Sequence, residues 1–153
     1  WRIEEANLVK TGGFPHYRTY GDWNSDGNLD LAVVVAGEES VEVYEGDGLG
    51  NFKMLSRHET GVNPHGLTNA DFNKDGNLDL AVSNRTSGGI TIFMGKGNGN
   101  FKNTSSIYTG HDGIAIENGD FDGDGKIDLA MVSASSHSLL FYRGDGKGGF
   151  DPW

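Results

Sequence analysis

Along this chain the side chains alternate between apolar and polar on a two-residue period. "SVEVYEG" (40–46) alternates cleanly, and "GITIFMG" (89–95) and "SLLFYRG" (138–144) do so more loosely, as half-buried strands do. A second kind of run, such as "NLDLAVVV" (28–35), is apolar and β-branched without a break, which also suits a strand. No stretch holds helical spacing over 11 residues. Each alternating run leads into a glycine-rich turn: "GDGLGNF" (46–52), "GKGNGNF" (95–101) and "GDGKGGF" (144–150). The glycines supply the positive φ that a hairpin needs, and the phenylalanine opens the next strand. The pattern predicts an all-β protein.

These elements repeat. Set out in rows of 49, the sequence aligns three times without a gap, as 4–52, 53–101 and 102–150. Twelve columns are identical in all rows; in the first they are Thr11, Gly12, Asp22, Asp26, Gly27, Asp30, Leu31, Ala32, Gly46, Gly48, Gly50 and Phe52. A period near 50 points to propeller blades or a solenoid, and about four strands per row fits one four-stranded antiparallel blade. The expected order is an inner strand ending at Asp22, an acidic loop, "LDLAV", "VEVYEG", the glycine turn, and an outer strand from Phe52.

Composition adds three constraints. Glycine is 25 of 153 residues without a triplet period, and 16 aromatic residues make the chain globular and turn-rich rather than disordered. There are no cysteines, hence neither disulfides nor thiolate metal sites. The net charge of −10 is concentrated: ten carboxylates lie in three short stretches, and the other twelve acids balance the twelve Lys and Arg. No basic stripe exists to meet phosphate, which argues against nucleic acid as a partner. No apolar run reaches the roughly 18 residues of a membrane span, and no signal peptide is visible.

The three stretches are "DWNSDGNLD" from Asp22, "DFNKDGNLD" from Asp71 and "DFDGDGKID" from Asp120. With the Leu-Ala that follows and the Gly-x-Gly-x-Gly-x-Phe turn, they resemble the integrin-alpha-type FG-GAP repeat, also called the VCBS repeat. The likeness covers essentially the whole chain. It implies a β-propeller with one calcium loop per blade, in a ring of about six to eight blades.

The spacing within the loops supports the metal independently. Asp at position one, Asn or Asp at three, Asp at five, Gly at six and Asp at nine form a set of hard oxygen donors, with the backbone carbonyl of position seven as a further ligand. Calcium takes six to eight oxygens, whereas magnesium prefers to keep several waters. The expected ligands are Asp22, Asn24, Asp26 and Asp30; Asp71, Asn73, Asp75 and Asp79; and Asp120, Asp122, Asp124 and Asp128. Asn28, Asn77 and Lys126 would contribute through their carbonyls. Three calcium ions per chain are expected. The loops are not EF-hands, because Val33, Val82 and Met131 stand where the bidentate Glu belongs. One copy could be a solvated Asp/Asn/Gly turn; three in register are a design.

Three blades do not close a ring, since closed propellers begin at about four. Ile3 shares a column with Phe52, so residues 1–12 are expected to form an outer strand that completes a blade of another chain. Two chains head to tail would then make a six-bladed homodimer with a twofold axis. A fragment of a longer propeller, or a scaffold, is the alternative. Exposed sheet edges argue against an isolated three-bladed monomer.

No Ser/His/Asp constellation is evident, and the paired acids are assigned to metal, so a non-catalytic module is expected. Relatives with this repeat include integrin ligand-binding heads, bacterial surface proteins and fungal lectins. The resemblance thus implies glycan binding or adhesion in an extracellular or cell-surface setting, by a protein that does not insert into membranes. Some polysaccharide-acting enzymes also carry such repeats, and an accessory role in one is the enzymatic alternative. The variable stretches 17–20, 38–40, 85–88 and 135–138 are candidate ligand loops. Trp23, Phe72 and Phe121 share a column and are expected in the core between blades. His16 and His65, after Pro15 and Pro64, suggest a shared blade-entry turn. "RGD" at 143–145 and the sequons at Asn84 and Asn103 read as coincidence.

Overall fold

The computed structural model describes residues 8–153. Among them are three four-stranded antiparallel sheets. Sheet 1 holds β1 (Pro15–Gly21), β2 (Asp30–Val35), β3 (Ser40–Gly46) and β4 (Phe52–Glu59); sheet 2 holds β5 (Pro64–Ala70), β6 (Asp79–Asn84), β7 (Gly89–Gly95) and β8 (Phe101–Tyr108). Sheet 3 holds β9 (Gly113–Gly119), β10 (Asp128–Ser133), β11 (Ser138–Gly144) and a short β12 (Phe150–Pro152). The strand order in each sheet follows the chain, as the sequence pattern predicts. A three-residue 3-10 turn, Ala36–Glu38, is the one helical element among the described residues, and no helix is long and apolar enough to cross a membrane.

The register repeats with the sequence. Leu31 faces Tyr44, Leu80 faces Phe93, and Leu129 faces Tyr142. The bulge between Val43 and Tyr44 in sheet 1 recurs between Ile92 and Phe93 in sheet 2. The glycine turns close as predicted: the N–H of Asp47, Lys96 and Asp145 donates to the carbonyl of Asn51, Asn100 and Gly149 respectively.

Successive sheets pack face to face. The front of sheet 1 (Trp23, Val34, Val41, Val43) meets the back of sheet 2 (Leu80, Val82, Phe93, Phe101) in one core. The front of sheet 2 (Phe72, Ile90, Ile92) meets the back of sheet 3 (Leu129, Met131, Tyr142, Phe150) in a second. The first strands of the three sheets run side by side: the Asn69 side chain donates to the Tyr20 carbonyl at 3.2 Å, and Asn118 donates to the Asn69 carbonyl at 3.1 Å. His65 extends this series by meeting the Ile114 carbonyl through Nδ1, with the His16 ring edge-on at 4.4 Å. Pro15 and Pro64 begin strands, and His16 and His65 lie just inside them at a shift of register, so the expected entry turn falls ahead of these residues.

Two expectations differ from the structure. Residues 17–20 are not a loop but lie within β1. Of the three aromatic residues in one column, Trp23 and Phe72 are buried, while Phe121 is 47% exposed. The reason is long-range: sheets 1 and 2 each have a following sheet against this face, and sheet 3 has none among the described residues. The expected outer strand over residues 1–12 falls partly on 1–7, outside the described residues; residues 8–11 have no regular structure.

Candidate metal centre

Each acidic loop joins the first strand of a sheet to the second, and its aspartates divide into two jobs. The aspartate at position nine opens the second strand and is fully buried in all three copies: Asp30, Asp79 and Asp128. One oxygen of each accepts the N–H of Trp23, Phe72 or Phe121, at the second loop position. The other accepts the N–H of Gly46, Gly95 or Gly144, at the end of the third strand. All six bonds measure 2.8–3.0 Å. This carboxylate therefore ties loop, second strand and third strand together. Each oxygen retains a lone pair for an ion, since an ionised carboxylate accepts at about four sites. The glycine that meets it is required by space. A Cβ on Gly46, Gly95 or Gly144 would lie 2.1, 2.2 or 2.0 Å from the carbonyl oxygen of Leu29, Leu78 or Ile127.

The exposed end of the loop is folded by its own side chains. Asp22 and Asn24 both accept the N–H of Asp26, at 3.1 and 3.0 Å, so positions one and three converge on one donor. Asp71, Asn73 and Asp75 repeat this geometry. The N–H of Gly27, Gly76 or Gly125 donates to position one at 2.9 Å, and these glycines take φ near +87°, +89° and +80°. Position four is left-handed too, with Ser25 and Lys74 at φ +61° and +62° where the third loop has Gly123. Non-glycine residues there cost about 1–2 kcal/mol each, strain that the sequence pattern did not signal. The N–H of Asn28, Asn77 or Lys126 donates to the position-five carboxylate, which brings position seven into the same turn.

In the third loop Asp120, Asp122 and Asp124 each present an oxygen within 4.8 Å of the others. In the second, burial pushes the Asp79 carboxyl up to about 6, opposed by its two backbone donors and reinforced by the charges of Asp75 and Asp71. These carboxylates feel one another, and a divalent cation would reverse that repulsion. Asp26 and Asp75 are held below the usual carboxylate range, chiefly by the N–H of Asn28 and Asn77. Asp124 is held low chiefly by Lys126, whose ammonium lies 2.7 Å from it. The donors are all hard oxygens, so the residues fit calcium.

The structure brings in residues that spacing did not reveal. Glu45, on β3, accepts from the Asn24 amide at 3.2 Å, and Arg143, on β11, pairs with Asp122 at 2.8 Å. With Met94 they occupy one column, so the signal existed only as a variable position. Position three follows that column: Asn stands beside Glu or Met, and Asp stands beside Arg. Arg143 also lies 4.8 Å over the Trp153 ring, which accounts for the arginine of "RGD" structurally. Asn84 is buried with its amide on Thr91, which removes it as a glycosylation acceptor in the folded chain.

A family model described as FG-GAP-like repeat matches residues 22–82 and again 71–131, each match beginning on a position-one aspartate. The chain belongs to the FG-GAP-like repeat family. No curated protein matches it. Together the two FG-GAP-like matches span all three acidic loops and the core between sheets 1 and 2.

Proposed function

We propose that this FG-GAP-like chain is a calcium-stabilised propeller module that recognises glycans and does no chemistry on them. The observation that carries the reading is the threefold loop. In each copy a turn of loop oxygens leads into a buried aspartate that ties the loop to two strands, and in the third an oxygen from each of Asp120, Asp122 and Asp124 lies within 4.8 Å of the others. An ion held there stiffens three elements at once, so calcium acts on the fold rather than on a substrate. A site filled at 100 times its dissociation constant adds about 2.7 kcal/mol, and three such sites rival the whole stability of a small domain. Loops of this kind suit the calcium levels found outside cells.

The glycan reading is supported by a cleft of about 400 Å³ across the first strands, where Tyr17 and Tyr20 stand beside Arg18, Asn69 and Glu117. Aromatic faces with charged hydrogen-bonding groups offer the apolar and polar contacts that a sugar ring presents. The acidic balance of the chain disfavours polyanions.

The test is a glycan array probed with calcium-loaded protein, with EGTA and with Tyr17→Ala. Selective binding that is lost in EGTA and weakened by Tyr17→Ala supports the reading. A blank array overturns glycan recognition, and a melting temperature unchanged by EGTA overturns the structural role of calcium.

A further inference from the structure

The front of sheet 3 repeats the columns that form the two cores but lies open. Leu139 and Phe141 are 64% and 38% exposed, where Val41, Val43, Ile90 and Ile92 are fully buried. The Phe121, Phe141 and Trp153 rings stack edge to face, at 5.8 and 5.9 Å, along a groove of about 750 Å³. The edge beside this face is open as well. β3 and β7 are paired along their whole length, from Ser40 to Gly46 and from Gly89 to Gly95. β11 pairs with β12 only at Tyr142, Arg143 and Gly144. Residues 138–140 have no outer strand among the described residues.

The matching surface is on sheet 1 of the same chain. The residues that cover the two buried fronts are Leu80, Val82, Phe93 and Phe101, then Leu129, Met131, Tyr142 and Phe150. Their columns on sheet 1 hold Leu31, Val33, Tyr44 and Phe52, and no sheet covers them among the described residues. Residues 8–10 share columns with the last residues of β4 and β8. Those pair with residues 40–42 and 89–91, whose column on β11 is the unpaired 138–140. The turn after residue 10 is seated the same way twice: the N–H groups of Ala36 and Gly37 donate to the carbonyls of Phe14 and Gly13 on sheet 1, and those of Arg85 and Thr86 donate to the carbonyls of Asn63 and Val62 on sheet 2. Segment 8–10 is thus placed ahead of sheet 1 as the end of β4 is placed ahead of sheet 2.

The polar contacts between first strands carry over. Asn69 bonds Thr19, and Asn118 bonds Thr68, across successive sheets. At the remaining junction the same two columns hold Tyr20 and Glu117, a hydroxyl donor and a carboxylate acceptor.

We infer that the front of sheet 3 takes the back of sheet 1 of a second copy of this chain, whose residues 8–10 pair with residues 138–140, and that the contact is reciprocal. Two such contacts close six sheets around a twofold axis. The pairing sets Val9 of one copy opposite Leu139 of the other, as His58 stands opposite Val41 and Ile107 opposite Ile90. The proposal does not rest on glycan recognition, although Tyr20 and Glu117 also line the first-strand cleft.

The test combines solution mass with a cross-link. Sedimentation with calcium present should give twice the 16.4 kDa chain mass, and Leu139→Asp should give the mass of one chain with an unchanged circular dichroism spectrum. The chain has no cysteines, so the double variant Val9→Cys, Leu139→Cys should form a disulfide-linked dimer on mild oxidation, and neither single variant should. Directly opposed strand residues lie within disulfide range. A single-chain mass for the parent protein overturns the proposal. So does a mass that grows beyond two chains, or a dimer that the double variant does not cross-link.

Discussion

Sheets 2 and 3 are two castings of one pattern, and they ended differently. Their strands keep the same register, and their position-nine aspartates hold equivalent backbone donors at nearly equal lengths. Yet Phe72 is buried against Phe150 while Phe121 stands half exposed. The loops diverge too. In sheet 2, Asp71 and Asp75 push against Asp79, and Met94 fills the neighbouring column. In sheet 3, Lys126 and Arg143 already pair with Asp124 and Asp122. A repeat therefore specifies its strands, turns and loop geometry by itself. Its stability depends on which faces are covered, and the electrostatics of its loop on the charges around it.

The comparison breaks most severely if calcium is removed. EGTA should lower the melting temperature sharply, since three filled sites contribute up to roughly 8 kcal/mol at 100 times their dissociation constants; calorimetry with and without EGTA measures it. Next in size is the pair Phe72→Ala and Phe121→Ala. The first should cost about 3–5 kcal/mol by leaving a cavity in a core, whereas the second, in dilute monomeric protein, should cost well under half as much. Urea unfolding reads both, and equal losses would mean that the front of sheet 3 is covered within the single chain.

Arg143→Met, which gives sheet 3 the residue of sheet 2, should tighten calcium binding at the third loop about two- to five-fold, the scale of an exposed ion pair. Titration calorimetry resolves that change, and an unchanged isotherm would remove Arg143 from the site. The smallest effect concerns the first junction. Burial against Phe93 and Phe101 lowers the His58 pKa, and the charge of Lys96 adds to this. The unfolded chain then takes up the proton first as pH falls. Stability from this group is complete above about pH 6.5 and declines below it. Replacing His58 with Ile, which stands in the same column at the second junction as Ile107, should flatten that part of the melting profile between pH 7.5 and 5.

Much of the site was legible beforehand because its logic is local. A period of 49 with Asp, Asn and Gly at fixed offsets places the loops, and β-branched runs between glycine turns place the strands. What was not legible depended on residues distant in sequence. Glu45 and Arg143 approach the loops only because the third strand folds back beside the first turn. The column that holds them varies, so no motif marks it. The left-handed backbone at Ser25 and Lys74 was equally silent, since neither residue type announces that conformation. Residues 17–20 read as a variable loop because they differ between rows. They are strand instead, exposed at Tyr17, Arg18 and Tyr20 in β1, whereas Gly66, Leu67 and Thr68, which hold the columns of 17–19 in β5, are buried within the molecule.

The order of residues alone settled the all-β fold class, the number of sheets and the placing of the acidic loops with their oxygen donors, since each follows from neighbours within one 49-residue row. Tertiary packing decided the rest: Phe72 buried and Phe121 bare, Asp79 pushed toward neutrality, and Asp122 paired with an arginine. The physical reason is that burial and electrostatic environment are set by whatever lies across a face or a loop, and those partners come from a distant strand of the same row, as Arg143 does for Asp122, or from the next row, as Phe150 does for Phe72.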